Sequence, residues 1–407
     1  MSLSAAFLSI LCAINGSAAA QEMSPQEINA AKRERELLEQ RIKPKTEAFQ
    51  QACDVLREHL KAMREKIIRY NVTPIGAPSR KLYGEFIGMM EKGNELHQKM
   101  MAAAIEEMTT ADLTERETEK LTKMVAAWTK REVENDRFAG VIAGCDALME
   151  MGYPEPDLPR RCFLAAIATN EYSRASQLMD GLEAQNPNSE LLAKSRDELP
   201  LLMRRWEREK QLRQEDAAGP PLPVVEITTT KGVFEIELFE NQAPNTVANF
   251  IALVESGFYD GRKFHRVIDH YAAQTGCPND DGSGDGGFVI PSERDATNAR
   301  DFFRGTLGMA LANDIRDSAS TQFFIAFSPT PELDENYTAF GRVIRGDFIL
   351  GNLARINPDD KDSKKGESKA IPDEIISVKV LSKRSSSNYT PERITRAARP
   401  PMQVPGK

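Results

Sequence analysis

Val224-Val-Glu-Ile-Thr-Thr-Thr230 and Val233-Phe-Glu-Ile-Glu-Leu-Phe239, joined through Lys231-Gly232, decide how the C-terminal half of this chain folds. Both runs are rich in β-branched or aromatic residues, the second alternates apolar and acidic side chains, and a glycine sits at the reversal. The stretch predicts a β-hairpin. Beyond it, to about residue 383, short strand-like runs are separated by Gly and Asp turns, and only two stretches keep a helical period. That is the pattern of a closed barrel, a form that removes unpaired strand edges.

Before the hairpin the pattern is different. Asp216-Ala-Ala-Gly-Pro-Pro-Leu-Pro223 predicts a proline-rich linker, and residues 21–215 read as an all-α domain. Ser24-Pro25-Gln26-Glu27 is a capping box with proline at the first helical position. Phe49, Cys53, Leu56, Leu60, Met63 and Ile67 follow at three- and four-residue steps, as one apolar stripe. Thr73-Pro74 and Ala77-Pro78 break that helix, a second runs from about 81 to 108, and Thr114 with Glu117 caps a third. Phe138, Val141, Ile142, Cys145, Leu148 and Met149 mark a further amphipathic face. The pair of helices at about 158–187 resembles a single tetratricopeptide repeat through Tyr172, Ala175 and Pro187, with an ordinary helical hairpin as the alternative.

Residues 1–20 read as an export signal: Ala5 to Ile14 is apolar, and Ala18-Ala19-Ala20 offers a small-residue cleavage site ahead of Gln21, although no Lys or Arg precedes the apolar stretch. The protein is therefore expected to be exported, periplasmic or extracellular. In such an oxidising compartment Cys145 and Cys162 could pair, or they are two small buried residues. Residues 384–407 carry several basic residues and prolines but few large apolar ones, which predicts a disordered basic tail.

The chain has 407 residues, enough for two or three domains, and its net charge of −8 argues against nucleic acid as a partner. No later run is apolar enough to remain in a membrane once the signal is removed. With four histidines, and five cysteines of which none forms a Cys-x-x-Cys pair, no metal or other cofactor is expected. Asp281-Gly-Ser283-Gly-Asp285-Gly286 opens like a calcium loop, but Ser292 stands where the twelfth-position acid should be.

Four motifs in order carry the chemistry. They are Phe234 to Phe239 with Ala243-Pro244-Asn-Thr-Val-Ala-Asn249-Phe250; Tyr259-Asp-Gly-Arg-Lys-Phe264-His265-Arg266-Val267-Ile268 with Gln274 and Gly276; Gly305-Thr-Leu-Gly-Met309-Ala310 with Thr321-Gln322-Phe323-Phe324-Ile325; and Leu333-Asp334 with Tyr337-Thr-Ala-Phe340-Gly341-Arg-Val343. Through them residues 224–383 resemble the cyclophilins, a family of peptidyl-prolyl cis-trans isomerases. The resemblance implies an eight-stranded antiparallel β-barrel with two capping helices, at about 243–255 and 346–355, and a substrate that is a proline-containing polypeptide. Folding assistance is the expected role.

The resemblance also assigns roles. Arg266 would donate to the proline nitrogen, Gln274 would position it or the substrate carbonyl, and Phe324 with Leu333 would hold the proline ring. Tyr271 and Ala272 would close another side, while Ala310 and Gln322 would lie along the peptide backbone. Phe323 and Phe324 are adjacent in a strand and point to opposite faces, so either could be core. Several positions depart from the family pattern: Tyr271 for phenylalanine, Ala272 for methionine, Leu311 for a substrate-binding asparagine, Glu332 for tryptophan, Tyr337 for histidine and His270 for glycine. They leave a second reading, a weak isomerase serving as a proline-peptide binding or scaffolding module beside a helical domain that takes a protein partner.

Overall fold

The computed structural model describes residues 25–74, 76–109, 113–186, 188–312, 315–358, 370–385 and 387–395. The signal segment, Ser24 of the first capping box and Pro187 of the repeat-like hairpin lie outside them. Among the described residues seven helices come first: α1 (Pro25–Val72), α2 (Ala77–Met108), α3 (Glu115–Glu134), α4 (Val141–Glu150), α5 (Leu158–Ala168), α6 (Tyr172–Gln185) and α7 (Glu190–Ala218). The expected cap of α3 is present, with Thr114 N–H donating to Glu117 Oε2 at 3.0 Å and Glu117 N–H to Thr114 Oγ1 at 3.3 Å. The stripe on α1 is narrower than its spacing suggests. Leu56 is buried and Leu60 is 51% exposed, because His59 takes the inward place one residue earlier and its Nε2 meets the Met89 carbonyl at 2.7 Å.

Met101, Val125, Trp128, Val141, Leu148 and Cys162 share one core over α2 to α5; Phe163, Tyr172, Ala175, Met179 and Leu199 build a second over α5 to α7. Cys145 and Cys162 are free thiols, each buried, and burial raises both, Cys162 to about 11 and Cys145 to about 12. Among the described residues no helix is long and apolar enough to cross a membrane.

The β half is one curled antiparallel sheet. Its strands are β1 (Val224–Thr229), β2 (Gly232–Leu238), β3 (Arg266–Ile268), β4 (Ala272–Thr275), β6 (Thr306–Met309), β7 (Phe323–Ala326), β8 (Ala339–Arg345) and β9 (Ile375–Ser382), in the order β3-β4-β7-β6-β8-β2-β1-β9. Isolated bridges close the gap between the two edges of the curled sheet: Lys263, ahead of β3, pairs with Glu374, ahead of β9, and Val267 of β3 pairs with Ile356. Alternation along β1 and β2 sends Val225, Ile227, Phe234, Ile236 and Leu238 inward, onto Phe250, Phe323 and Phe340.

Two helices cap the barrel, with differences from expectation. α8 (Pro244–Glu255) starts at the expected place, but Asn245 and Thr246 do not cap it with their own side chains. The Glu293 carboxylate does so from across the chain, accepting from Asn245 N–H at 2.9 Å and Thr246 N–H at 2.8 Å. A carboxylate suits that end because the helix dipole is positive there. The second capping element is a short 3₁₀ turn, Asp347–Asn352, entered through Gly346 at φ +78°, where an added Cβ would lie 2.4 Å from the Val233 carbonyl.

The linker and the tail require correction. Helix α7 runs through Asp216 to Ala218, and Asp216 is buried against Arg300 of the barrel half. Arg300, itself fully buried, also donates to Glu209 Oε2 at 3.0 Å, and Trp206 meets Phe303 edge-on at 5.0 Å. The two halves are thus packed together rather than joined by a loose tether. The tail is ordered as far as residue 395. Ile394–Thr395 (β10) pairs with Phe288–Val289 (β5), the Arg393 guanidinium lies 4.1 Å from the Phe288 ring centroid, and Glu392 N–H donates to Asn245 Oδ1 at 2.7 Å. Backbone pairing and guanidinium–aromatic contact hold a segment too poor in apolar residues to fold alone. Residues 396–407 of the expected disordered tail lie outside the described residues.

Candidate active site

Strand register brings the predicted residues together. Arg266 on β3 faces Gln274 on β4, Gln274 faces Phe324 on β7, and Phe324 faces Gly308 on β6. Side chains directly opposite one another share a face of the sheet, so these four positions form one row across four strands. The row faces away from the barrel core: Phe323 points inward, whereas Phe324 packs outside with Ala272, Phe302, Leu333 and Ala339. The two faces of β7 thereby show which phenylalanine lines the cleft.

Above the row lies a cleft of about 240 Å³ lined by Arg266, Tyr271, Ala272, Gln274, Ala310, Leu311, Phe324, Leu333 and Tyr337. These include nine of the ten expected site residues. The tenth, Gln322, stands behind Gln274. Its Oε1 accepts from Gln274 Nε2 at 2.9 Å, and its Nε2 donates to the carbonyls of Gly282 and Gly284 at 3.0 and 2.7 Å. Gln322 therefore ties the glycine-rich loop to the site's polar wall. Within that loop Asp281 Oδ1 accepts from Ser283 N–H at 2.8 Å, and Asp285 Oδ1 from Gly287 N–H at 2.8 Å.

The floor is aromatic. Phe324 stacks on Phe302 at 5.5 Å and 23°, and Tyr337 meets Phe324 edge-on at 5.5 Å. The Arg266 guanidinium sits 5.8 Å from the Tyr271 ring centroid, a cation–π contact that holds the charge at the cleft. The arrangement joins a permanent cation with fixed donors to a slot that can take a small apolar ring.

Three residues at or beside the cleft had no role assigned from the sequence. Phe302 is one, since a phenylalanine in a loop has no periodicity to mark it. Gly308 is another: a Cβ there would come within 2.3 Å of Phe324 Cζ and 2.6 Å of Phe302 Cε1. Gly308→Ala is expected to push the Phe324 ring into the cleft and lower kcat/KM on a short X–Pro peptide about tenfold, the scale of effect that a small misplacement produces. A steady-state assay at several peptide concentrations measures it. The third is His270, at the tip of the β3–β4 hairpin with φ +57°. Glycine suits such a backbone; here the conformation is held by Asp136, whose carboxylate accepts from His270 N–H at 3.1 Å and meets Nδ1 at 2.6 Å. That hydrogen bond raises the His270 pKa above the ordinary histidine value. His265 is different. It lies buried beneath Gly282, outside the cleft, and burial lowers its pKa.

Comparison with known proteins agrees with this geometry. Residues 224–380 match the family model described as cyclophilin type peptidyl-prolyl cis-trans isomerase/CLD. A peptidyl-prolyl cis-trans isomerase of Synechococcus elongatus is 40% identical over 155 residues, 38% of this chain and 94% of that protein. Peptidyl-prolyl cis-trans isomerase B of Bacillus subtilis is 44% identical over 120 residues, 30% of this chain and 82% of its own length. Among solved structures, a Cryptosporidium parvum cyclophilin type isomerase crystallised in the presence of the dipeptide Ala-Pro is 30% identical, covering 39% of this chain and 99% of that one at a TM-score of 0.34. The motifs, the strand register that gathers them and the Synechococcus elongatus and Bacillus subtilis relatives lead to one conclusion: the chain belongs to the cyclophilin family and is a cyclophilin-type peptidyl-prolyl cis-trans isomerase.

Proposed function

We propose that the protein is an exported isomerase that turns X–Pro bonds in extended or unfolded polypeptide and so assists folding outside the cytoplasm, with Arg266 as the group that acts on the reacting amide. The observation that carries the reading is the row Arg266–Gln274–Phe324 beside a cleft of about 240 Å³. No bond is broken in this reaction. The X–Pro amide resists rotation through C–N resonance, with a barrier of about 18–20 kcal/mol. Twisting it localises a lone pair on the proline nitrogen, and a guanidinium aimed there favours the twisted state over both planar ones. Phe324, Leu333 and Tyr337 hold the ring while the preceding residue turns, Tyr271 and Ala272 close the slot, and Ala310, Leu311 and Gln322 border the peptide backbone.

Ala272 and Leu311 leave the slot wider and less polar than the family pattern, which favours loose binding of varied chains over tight binding of one. The α1–α2 hairpin supports the folding role: α1 presents exposed Leu60, Ile68 and Val72 along one side, apolar surface for an unfolded chain or a partner on the same chain as the isomerase domain. The test is expression of the full chain in a bacterium with a Sec pathway, followed by N-terminal sequencing and a proline-limited refolding assay. The expected product begins near Gln21 in the extracytoplasmic fraction and accelerates the slow refolding phase. A cytoplasmic product retaining residues 1–20 sinks the export reading, and an unchanged slow phase sinks the folding role.

A further inference from the structure

Phe302 and Phe303 are neighbours in sequence that serve two different cores. Phe302 stacks beneath Phe324 and so supports the floor of the cleft. Phe303 is buried in the helical domain with Tyr172, Met179 and Leu199, against Trp206 of α7. Arg205, the residue before Trp206, reaches the Asp334 carboxylate, and Asp334 Oδ1 accepts from Phe302 N–H at 2.6 Å. Asp334 follows Leu333, which forms one wall of the cleft. One turn of α7 thus grips the floor through 302–303 and the wall through 333–334.

We propose that Arg205 is a positioning residue for the isomerase: by pairing with Asp334 it fixes the Phe302 backbone and the Leu333 wall, and so sets the shape of the slot for the proline ring. The inference rests on reading the cleft as the proline site. The surroundings explain why the cation is needed. Asp334 is 5% exposed, and Asp301, Glu335 and Tyr172 also face it, so burial and neighbouring acids raise its pKa to about 7 with Arg205 in place. Arg205 also lies 3.6 Å from Asp301, which Arg208 meets at 3.4 Å, and 3.6 Å from Glu335. Without Arg205 the Asp334 carboxylate loses its closest cation inside the protein, and the two segments it joins are free to shift.

A floor and a wall touch the proline ring alike in the planar and twisted states, so loosening them weakens uniform binding and raises KM, leaving kcat nearly unchanged. In the full chain, Arg205→Ala is expected to raise KM for a short X–Pro peptide about tenfold, with kcat within about threefold of wild type, and Arg205→Lys to recover at least half of the change on a logarithmic scale. A general loss of folded protein behaves differently: it lowers apparent kcat at constant KM. That outcome, or kinetics identical to wild type, overturns the proposal. If Arg205→Ala does not fold, Arg205→Lys alone decides, by an expected KM increase of about threefold at unchanged kcat. A wild-type chain that accelerates nothing would instead sink the reading of the cleft, and is distinguished from failure of the proposal by that control.

Discussion

Arg266→Ala should lower kcat for a short X–Pro peptide by about 10²–10³, the scale set by removing one preorganised donor from a developing charge. The reason lies in what changes during the reaction. The planar amide nitrogen is a poor acceptor, whereas the twisted one carries a lone pair, so the guanidinium contributes mostly at the top of the barrier and KM should move little. Arg266 is half-buried on a three-residue strand whose partner β4 is intact without it, so the fold should survive the change. Arg266→Lys keeps the charge but loses the planar fork of donors, and is expected to recover only part of the rate. Protease-coupled or direct spectroscopic measurement of isomerisation decides the matter. Equal rates for wild type and Arg266→Ala would remove the residue from the reaction.

The second large effect concerns the junction of the two halves. Arg300→Met should destabilise the protein by about 3 kcal/mol, the low end of the range for breaking a buried ion pair on one side. The guanidinium of Arg300 is fully buried, bonds Glu209 and Asp216 of α7, and lies 4.5 Å from the Phe239 ring centroid. Glu209 retains Arg213 at 2.8 Å and Arg342 at 3.4 Å, but Asp216 is left with Arg342 at 4.0 Å. The penalty should therefore fall on the end of α7, and be seen as a lower urea midpoint together with faster proteolysis in the 219–223 segment. An unchanged midpoint with unchanged cleavage would mean that the network contributes nothing net.

The sequence was most legible where local rules act. Alternation around Lys231-Gly232 located a hairpin now seen as β1 and β2, the Thr114–Glu117 spacing located the start of α3, and the resemblance carried by the four motifs named all nine residues that line the cleft and Gln322 behind it. It was least legible where a contact joins distant segments. The cap of α8 comes from Glu293, the tip of the β3–β4 hairpin is held by Asp136, and the ring beneath the cleft floor is Phe302, each outside any periodic pattern. The proline-rich stretch at 216–223 reads as a linker between two domains. Composition shows where a helix will stop, but not whether the halves it separates share buried charges.

An all-α region ahead of an antiparallel barrel, and a cyclophilin-type site on that barrel, could be read before any coordinates were known. Periodicity and motif order are properties of neighbouring residues along the chain, and they survive without coordinates. The three-dimensional packing was needed to show that Phe324 rather than Phe323 faces the cleft, that Gly308 makes room for its ring, and that α7 backs the slot through Arg205 and Trp206. Those are matters of register and of long-range packing. A one-residue slip exchanges the two faces of a strand, and a salt bridge spanning more than a hundred residues leaves no periodic trace in either partner's neighbourhood.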